Sequence, residues 1–361
     1  MRTRDAVLKY QEVLSDAGTL TVDLDLVDPV SALSLELQAT NGATSNKGNY
    51  LSDVITKIEI VDGSEVLYSL NLSQLEALHF YKTGRMPTLF PSSLASGAQR
   101  HACLLLFGRH LWDREFAMDF TRFKNPQLKI TSNLAAIRAV AATGFVTATL
   151  KATVVAKVME DSGMVPSQYL MAKELEAFTS VTSGDKRIQL PTDHIYRMLM
   201  GRFWVQLSDI DEVITNVKLT MDTDKFIPFD RKTNQLDAEA FALFGAGRLK
   251  HDIIAQHQVA FRLLFNKEPS LQVYPWEDAS PPIVGIRYTW SSEGKLDLTD
   301  NAGATIGTDQ AFTTVEEGHA LHATLPIPFG IMDQPDTWFN PTPYKKMELV
   351  LTQAVAATCQ I

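Results

Sequence analysis

The chain has 361 residues, of which 45% are hydrophobic and 21% charged, a composition typical of a folded globular protein and too apolar for a disordered one. This length leaves room for two domains. The formal net charge of -9, from 42 acidic and 33 basic residues, argues against a surface built to wrap nucleic acid, because such a surface needs many uncompensated Lys and Arg side chains.

Cysteine content and hydropathy indicate the compartment in which the chain is made. Cys103 and Cys359 are the only cysteines, too few for a disulfide framework or a cysteine metal cluster, so we expect a reducing, intracellular compartment. Charged residues interrupt residues 1–9, and no secretory leader is expected. No uninterrupted apolar stretch approaches the ~20 residues of a membrane-spanning helix.

Residues 1–18 are predicted to form an N-terminal arm with a short amphipathic helix at 3–14. One side of this helix would carry the apolar residues Ala6, Val7, Tyr10, Val13 and Leu14. Such a helix could lie on a membrane, dock into a neighbouring subunit, or pack on its own domain.

The next segment, residues 19–162, is typical of β-structure. Residues 19–26 alternate polar and apolar side chains, as a half-buried strand must. Asp62-Gly63 predicts a tight hairpin, and one helix is predicted at 73–83, with Gly84 in the left-handed position after its end. Further strands are predicted, after a long loop at 86–99, at 101–107, 126–132 and 144–158. We therefore predict a first β-sandwich domain at 19–162.

The boundary between domains is predicted at residues 160–163, followed by a connecting helix at 166–178. The second domain, with this linker, would extend over 163–361. Its predicted strands lie at 186–190, 196–207, 213–221, 226–229, 259–265, 271–274, 283–290, 319–325 and 347–354.

The two halves repeat one order of elements. Residues 55–60 (ITKIEI) match 214–219 (ITNVKL) at an offset of 159, and the helical residues 75–81 match 238–244 at an offset of 163. Gly84 and Gly247 are matched after the two helices. A repeat of this length is the size of a whole domain, so we infer a duplicated β-domain.

Two further segments were compared along the repeat. Residues 125–130 resemble 268–273, which predicts a shorter loop after the second helix. Residues 291–314, rich in Gly, Asp and Thr, have no counterpart, and we predict a surface excursion there.

No residue set predicts catalysis, cofactor binding or a metal site. The pairs His251/His257 and His319/His322 lack a Cys or carboxylate partner at metal-ligand spacing, so ordinary surface or interface histidines are preferred. Asp297, Asp300 and Asp309 could bind calcium, but their spacing matches no known acidic loop and Asp is common in turns. Phosphate-cradling, dinucleotide and nucleophile-elbow motifs are missing, and Gly245-Ala246-Gly247 is better explained as a helix end.

Two small basic clusters, Gly108-Arg109-His110 and residues 229–232, could touch a phosphate. Such clusters are usually solvated rims, and stacking aromatics are not interleaved with them.

The order of elements resembles that of a known family. Residues 107–130, the strand at 18–26, and Leu190-Pro191 leading to Tyr196-Arg197 resemble segments of the double jelly-roll major capsid proteins of tailless icosahedral viruses. The resemblance covers nearly the whole chain in architecture, although its motifs are loose hydrophobic patterns.

The resemblance implies an all-β fold of two tandem eight-stranded jelly rolls with a few short helices. It implies a structural protein without catalysis or cofactors, located in the virion shell and made in the host cytoplasm. Three chains would form a pseudo-hexameric homotrimer that contacts neighbouring capsomers and minor or penton proteins. The N-terminal helix would face an internal membrane where the virus has one, and no sequence-specific nucleic-acid binding is expected.

Two other classes of function are weighed against this one. A two-domain β-sandwich that binds carbohydrate or a receptor would present a row of exposed aromatics, for which Trp276, Tyr288 and Trp290 are the candidates. An enzyme would need a converging set of His and carboxylate side chains within one barrel, and the sequence offers none with suitable spacing.

Overall fold

A computed structural model describes residues 2–134, 144–160, 163, 166–276 and 282–361. The first half of the chain folds into two facing antiparallel sheets. Its strands are β1 Arg2–Val13, β2 Ala17–Asp23, β3 Val30–Thr40, β4 Ile55–Asp62, β5 Glu65–Leu70, β6 Thr88–Phe90, β7 Ala98–Leu106, β8 Pro126–Asn133 and β9 Lys151–Glu160. One sheet has the order β1-β9-β3-β7-β6 and the other β2-β8-β4-β5.

Among the described residues, two α-helices belong to this first barrel. The one-turn helix α1, Leu51–Val54, leads directly into β4, and α2, Leu72–Thr83, follows β5. Asn71 caps α2 by accepting a hydrogen bond from the Gln74 amide, and Gly84 ends the helix at a φ of 65°. The predicted Asp62-Gly63 hairpin is confirmed, since β4 pairs with β5 and Gly63 has a φ of 60°.

The second half contains another pair of facing sheets. Its strands are β10 Ala177–Thr179, β11 Asp185–Leu190, β12 Met198–Trp204, β13 Ile214–Met221, β14 Phe226–Lys232, β21 Thr324–Pro328, β22 Met347–Gln353 and β23 Thr358–Gln360. The sheet orders are β10-β23-β12-β21 and β11-β22-β13-β14. The helix α3, Ile210–Val213, leads into β13, and α4, Thr233–Phe244, follows β14.

Numbered from the first strand of each half, and leaving out the short β6, both halves have the orders 1-8-3-6 and 2-7-4-5. These are the two sheets of a jelly roll, in which strands from opposite ends of the domain become neighbours. The repeat inferred from sequence is therefore confirmed at the level of topology. It also includes the short helices α1 and α3, which occupy matching places before β4 and β13.

An insertion follows α4. It contains β15 Gly247–Ala255, β16 Phe261–Arg262, β17 Phe265–Pro275, β18 Ile283–Trp290, β19 Glu293–Thr299 and β20 Gln310–Leu321. These strands make two three-stranded sheets, β15-β20-β17 and β16-β19-β18. A separate apolar cluster that includes Phe312 and Leu296 fills the space between them.

The predicted N-terminal helix at 3–14 is wrong, because Arg2–Val13 is the edge strand β1, paired antiparallel with β9 from Arg2↔Glu160 to Val13↔Lys151. Ala6 and Leu8 pack against the core while Val7 between them faces outward. The helical pattern runs through Val7, Tyr10 and Val13, which face outward in the strand. The strand forms because β9 supplies a hydrogen-bonding partner that a local pattern cannot reveal.

The predicted connecting helix at 166–178 is also wrong in its described residues. The chain there is extended and lies along the first barrel, where Leu170 donates to the Phe107 carbonyl at 2.7 Å and Ser69 donates to the Ala172 carbonyl at 2.9 Å. Because these tertiary hydrogen bonds replace helical ones, helix propensity is overridden.

The alignment of 125–130 with 268–273 is wrong. Residues 268–273 lie in β17 of the insertion, whereas the topological counterpart of β8 is β22. The excursion predicted at 291–314 is part of the larger insertion. The second helix ends at Gly245, with a φ of 71°, and not at Gly247, so the two helices correspond at an offset of 161 (245 − 84).

Candidate assembly surfaces and the junction between the barrels

The helix α2 lies at the junction between the two barrels. Nine of its 12 residues are buried, and Ala77, Phe80 and Tyr81 share an apolar cluster with residues of the insertion such as Phe265 and Leu321. The buried residues lie on every side of the helix and include the polar side chains of Ser73, Gln74 and Glu76. The junction is thus packed like a protein interior.

Glu76 of α2 joins side chains from both halves of the chain. Its Oε1 lies 2.7 Å from Nδ1 of His101 on β7, and its Oε2 lies 2.5 Å from Nε2 of His322, which follows β20. All three side chains are fully buried. Burial opposes ionisation of Glu76, but the two histidines outweigh it and lower the pKa of the carboxyl to about 2.

A second polar contact across the junction joins Asp53 of α1 to Arg262 of the insertion. Nη1 of Arg262 lies 2.6 Å from Oδ2 of Asp53, and the guanidinium lies over the rings of Tyr50 and Trp204, 5.0 Å from each centroid. Burial opposes ionisation of Asp53, but Arg262 holds its pKa below the usual value.

The insertion contains a buried carboxyl of the opposite kind. Oε1 of Glu316 accepts hydrogen bonds from the backbone amides of Leu264 and Phe265 at 2.6 and 2.7 Å, and within the described residues its Oε2 has no hydrogen-bond partner. Burial raises the pKa of Glu316 to about 8 despite these two bonds. Glu316 therefore stays protonated in neutral solution.

Exposed apolar side chains line the edge strand β1. Val7, Tyr10 and Val13 are 61%, 73% and 52% exposed. Within the part of the chain that the structure describes, β9 is the one strand beside β1 in its sheet. A long edge strand with apolar side chains and an open row of backbone groups is a ready site for contact with another chain.

Two more exposed apolar groups lie on the second half of the chain. Phe241 and Leu243 project from α4. The outer sheet of the insertion and the strand beside it expose Tyr274, Trp276, Ile283, Ile286 and Trp290.

The histidines singled out from sequence are mostly buried. His251 is packed edge-on against Tyr50, and burial lowers its pKa to about 3. His319 lies 3.0 Å from Asp237 of α4, and His322 contacts Glu76. His257 accepts a hydrogen bond from the Leu298 amide. They are structural contacts inside the chain, and the expectation of surface histidines is wrong for His251, His319 and His322.

The three aspartates considered for calcium have separate partners. Asp297 contacts Arg287 and Gln258, Asp300 accepts from the amides of its own turn, and Asp309 pairs with Lys47 at 2.6 Å. In the part of the chain that the structure describes, no three His, Cys, Asp or Glu side chains are grouped to hold a metal ion.

The basic clusters are neutralised by neighbours. Arg109 makes a two-point contact with Asp113, at 2.7 and 2.9 Å, and Arg231 pairs with Glu239. Of the candidate aromatics, Trp276 and Trp290 are exposed, while Tyr288 is half-buried with Lys295 over its ring.

Sequence reasoning missed Glu76, His101 and Asp53. The available signal was the acidic side chain within the run Leu75-Glu76-Ala77-Leu78, whose other members are apolar. A carboxylate in such a helix needs a buried partner.

No protein-family model matches the chain, and no curated protein matches it. Solved structures do. The STIV (Sulfolobus turreted icosahedral virus) MCP has a TM-score of 0.60 at 10% identity, covering 100% of this chain and 95% of that one. The major capsid protein P2 from bacteriophage PM2 has a TM-score of 0.52 at 10% identity, covering 99% and 95%. The fold is a double jelly roll.

A third similar structure, the PBCV-1 virus capsid, has a TM-score of 0.56 at 10% identity and covers 97% of this chain and 84% of that chain. The predicted all-β fold class and the family resemblance are confirmed as to fold. Strands β1–β14 and β21–β23 belong to the sheets of the two barrels, and the insertion β15–β20 forms sheets of its own. None of the described helices is long and apolar enough to cross a bilayer.

Proposed function

We propose that this chain is the major capsid protein of a tailless icosahedral virus and that it acts by assembly in the virion shell, without catalysis. The observation that carries the proposal is the double jelly roll itself. The solved structures that share it with this chain over most of their length are capsid proteins. The carbohydrate- or receptor-binding alternative is not favoured by these neighbours.

The subunit would work as one rigid block. Residues 19–162 with β1, and 163–361, form its two domains, and the Glu76 and Asp53 contacts join them. Three such blocks related by a threefold axis would present six similar barrels and nearly sixfold sides. Such a homotrimer can make the same lateral contact with every neighbouring capsomer, and minor or penton proteins would fill the fivefold positions.

Strand β1 supplies an apolar edge for contact between subunits. Tyr10→Lys places a charge on this edge, which is the usual way that proteins block contact between strands. Since Tyr10 is exposed, the monomer should lose less than ~0.5 kcal/mol of stability. Val27→Lys is the matched control, because Val27 is 79% exposed in the loop before β3.

Size-exclusion chromatography with light scattering tests both points. We expect the wild-type chain and the Val27→Lys variant at three times 40.1 kDa or in larger shells, and Tyr10→Lys as a smaller species. A wild-type chain that remains a monomer at all concentrations would contradict the capsid proposal. If all three proteins assemble equally, β1 is not part of the contact between subunits.

A further inference from the structure

A cleft of about 670 Å³ lies between the two barrels. One wall is a face of α2, a second is β12 with the residues just before it, and a third is the extended linker at 168–175. Its volume lies within the range of pockets that hold small organic ligands. No role described so far uses this cleft.

Two rows of side chains run along it. On α2, Gln74, Leu78 and Lys82 are spaced four residues apart, which places them on one helix face over ~12 Å. On β12, Met198, Met200 and Arg202 alternate along one strand face over ~13 Å. Each row is apolar in its middle, so the cleft has an apolar centre between two polar ends.

One end of the cleft is already satisfied by the protein. Oε2 of Glu174 accepts hydrogen bonds from Gln74 at 2.7 Å and from Gln360 at 2.8 Å. Oε1 of Gln360 in turn accepts from Nη1 of Arg202 at 2.9 Å. This end needs no ligand, because Glu174 and Arg202 already have hydrogen-bond partners within the protein.

The other end holds two basic side chains, Lys82 and Arg197, and the ion pair that Arg197 makes with Asp333 is long and exposed on the Asp333 side. Nζ of Lys82 donates to the Leu106 carbonyl at 2.8 Å, and among the described residues no carboxylate lies within ion-pair distance of it. Among the described residues, Nη1 of Arg197 is also buried without a hydrogen-bond partner. The carboxylate nearest Arg197, that of Asp333, is 3.7 Å from Nη2 and 73% exposed.

Burial and the nearby Arg197 lower the pKa of Lys82 to about 7. The titratable and charged groups facing this end are His79 of α2, the linker's Lys173, and Arg109, Asp113, Asp193, His194, Arg197 and Asp333. Asp113 is already paired with Arg109. An anion entering the cleft would restore the charged form of Lys82, because an opposite charge at close range favours ionisation.

We propose that this cleft binds a single-chain amphipathic anion, with its alkyl chain along Leu78, Met198 and Met200 and its carboxylate or phosphate group at Lys82 and Arg197. The apolar centre favours an alkyl chain. The Lys82 amine and Nη1 of Arg197, which has no hydrogen-bond partner among the described residues, favour an anionic head with charge-assisted hydrogen bonds. The site does not depend on the assembly role, so failure of either proposal leaves the other standing.

Isothermal titration calorimetry of the full chain tests the site with decanoate, decyl phosphate and 1-decanol. We expect one molecule of an anion per chain, with 1-decanol at least 10-fold weaker. The tighter of decanoate and decyl phosphate identifies the head group. From hexanoate to decanoate, each methylene should tighten binding about fourfold, the equivalent of ~0.8 kcal/mol per buried methylene. Equal binding of alcohol and anions, or no dependence on chain length, would overturn the proposal.

Two variants of Lys82 distinguish the head-group contact from non-specific apolar binding. Lys82→Met should weaken decanoate at least 10-fold and leave 1-decanol unchanged, while Lys82→Arg should retain the anion. Lys57→Met, a change on the exposed surface of β4, is the control and should behave as wild type. Unchanged binding by Lys82→Met would exclude the proposed head-group position. If that variant fails to fold, Lys82→Arg and the chain-length series still decide.

Proton uptake gives an independent readout. At pH 8 the free chain holds Lys82 largely neutral, and an anion bound beside it should bring in a proton. His79 does not contribute, because burial lowers its pKa to about 4. The heat of decanoate binding should therefore vary with the ionisation enthalpy of the buffer for the wild type and not for Lys82→Met. Heat that is independent of the buffer in both proteins would contradict the assigned head-group position.

Discussion

The two jelly rolls have the same strand order, yet the helix after the fifth strand has a different environment in each. Nine residues of α2 are buried, against four of α4. The first helix is packed between the barrels, whereas the second exposes Phe241 and Leu243. The two halves therefore share a strand order, but the extent to which each helix is buried depends on the elements that pack around it.

Equivalent positions on the two helices carry carboxylates. With an offset of 161, Glu76 of α2 corresponds to Asp237 of α4 (76 + 161 = 237). Each contacts a histidine, but Glu76 joins two histidines across the junction, whereas Asp237 contacts one histidine, His319, among the described residues. The first contact joins the barrels, and the second holds α4 to the insertion.

Substitutions at these two carboxylates should destabilise the protein to different extents. Glu76→Gln should cost about 3–5 kcal/mol, the usual cost of removing one partner of a buried ion pair. Asp237→Asn should cost about 1–3 kcal/mol because a single contact is lost. Glu239→Gln, at an exposed pair with Arg231, should cost less than ~1 kcal/mol. Denaturant unfolding measures all three, and equal losses for Glu76→Gln and Asp237→Asn would contradict the junction role.

Two buried carboxyls with opposite pKa shifts sharpen the comparison between junction and insertion. Glu316 keeps its proton up to about pH 8 in the folded chain but loses it near its ordinary value of 4.5 when unfolded. Its contribution to stability therefore falls as the pH rises from 4.5 to 8. Glu76, with its lowered pKa, contributes fully above 4.5 and loses its contribution as the pH falls toward 2.

Glu316→Gln should remove the first of these pH dependences. Relative to the variant, the wild type should lose on the order of 4 kcal/mol between pH 4.5 and pH 8. Thermal unfolding of both proteins across that range measures the difference. A stability difference that is constant with pH would mean that Glu316 is ionised in the folded chain.

The one-turn helices provide a second matched pair. Asp53 and Glu212 both close a capping box, but Asp53 also pairs with Arg262 across the junction. Asp53→Asn should cost about 1–2 kcal/mol, because a charge-assisted contact is lost from a partly buried site. Glu212→Gln should stay within ~0.5 kcal/mol, since Gln can also close the box. If both variants lose a similar amount of stability in chemical denaturation, both residues act only as helix caps.

Local signals predicted the parts of the fold that local chemistry determines. Asp62-Gly63 specified its hairpin, and alternation along 19–26 specified a strand. Residues 3–14 and 166–178 were predicted wrongly because their partners, β9 and the edge of the first barrel, are distant in sequence. The junction contacts could not be predicted either, since Glu76 and His322 are 246 residues apart.

The insertion leaves and returns to the second barrel through paired strands, with Gly247 opposite Gly318. Its turn at Asp300–Gly303 is exposed and closed by its own backbone hydrogen bonds. A foreign peptide placed in this turn would be attached to the insertion, outside the sheets of both barrels. This chain therefore has a natural grafting point for displaying peptides, and in a shell that peptide would be repeated once per subunit.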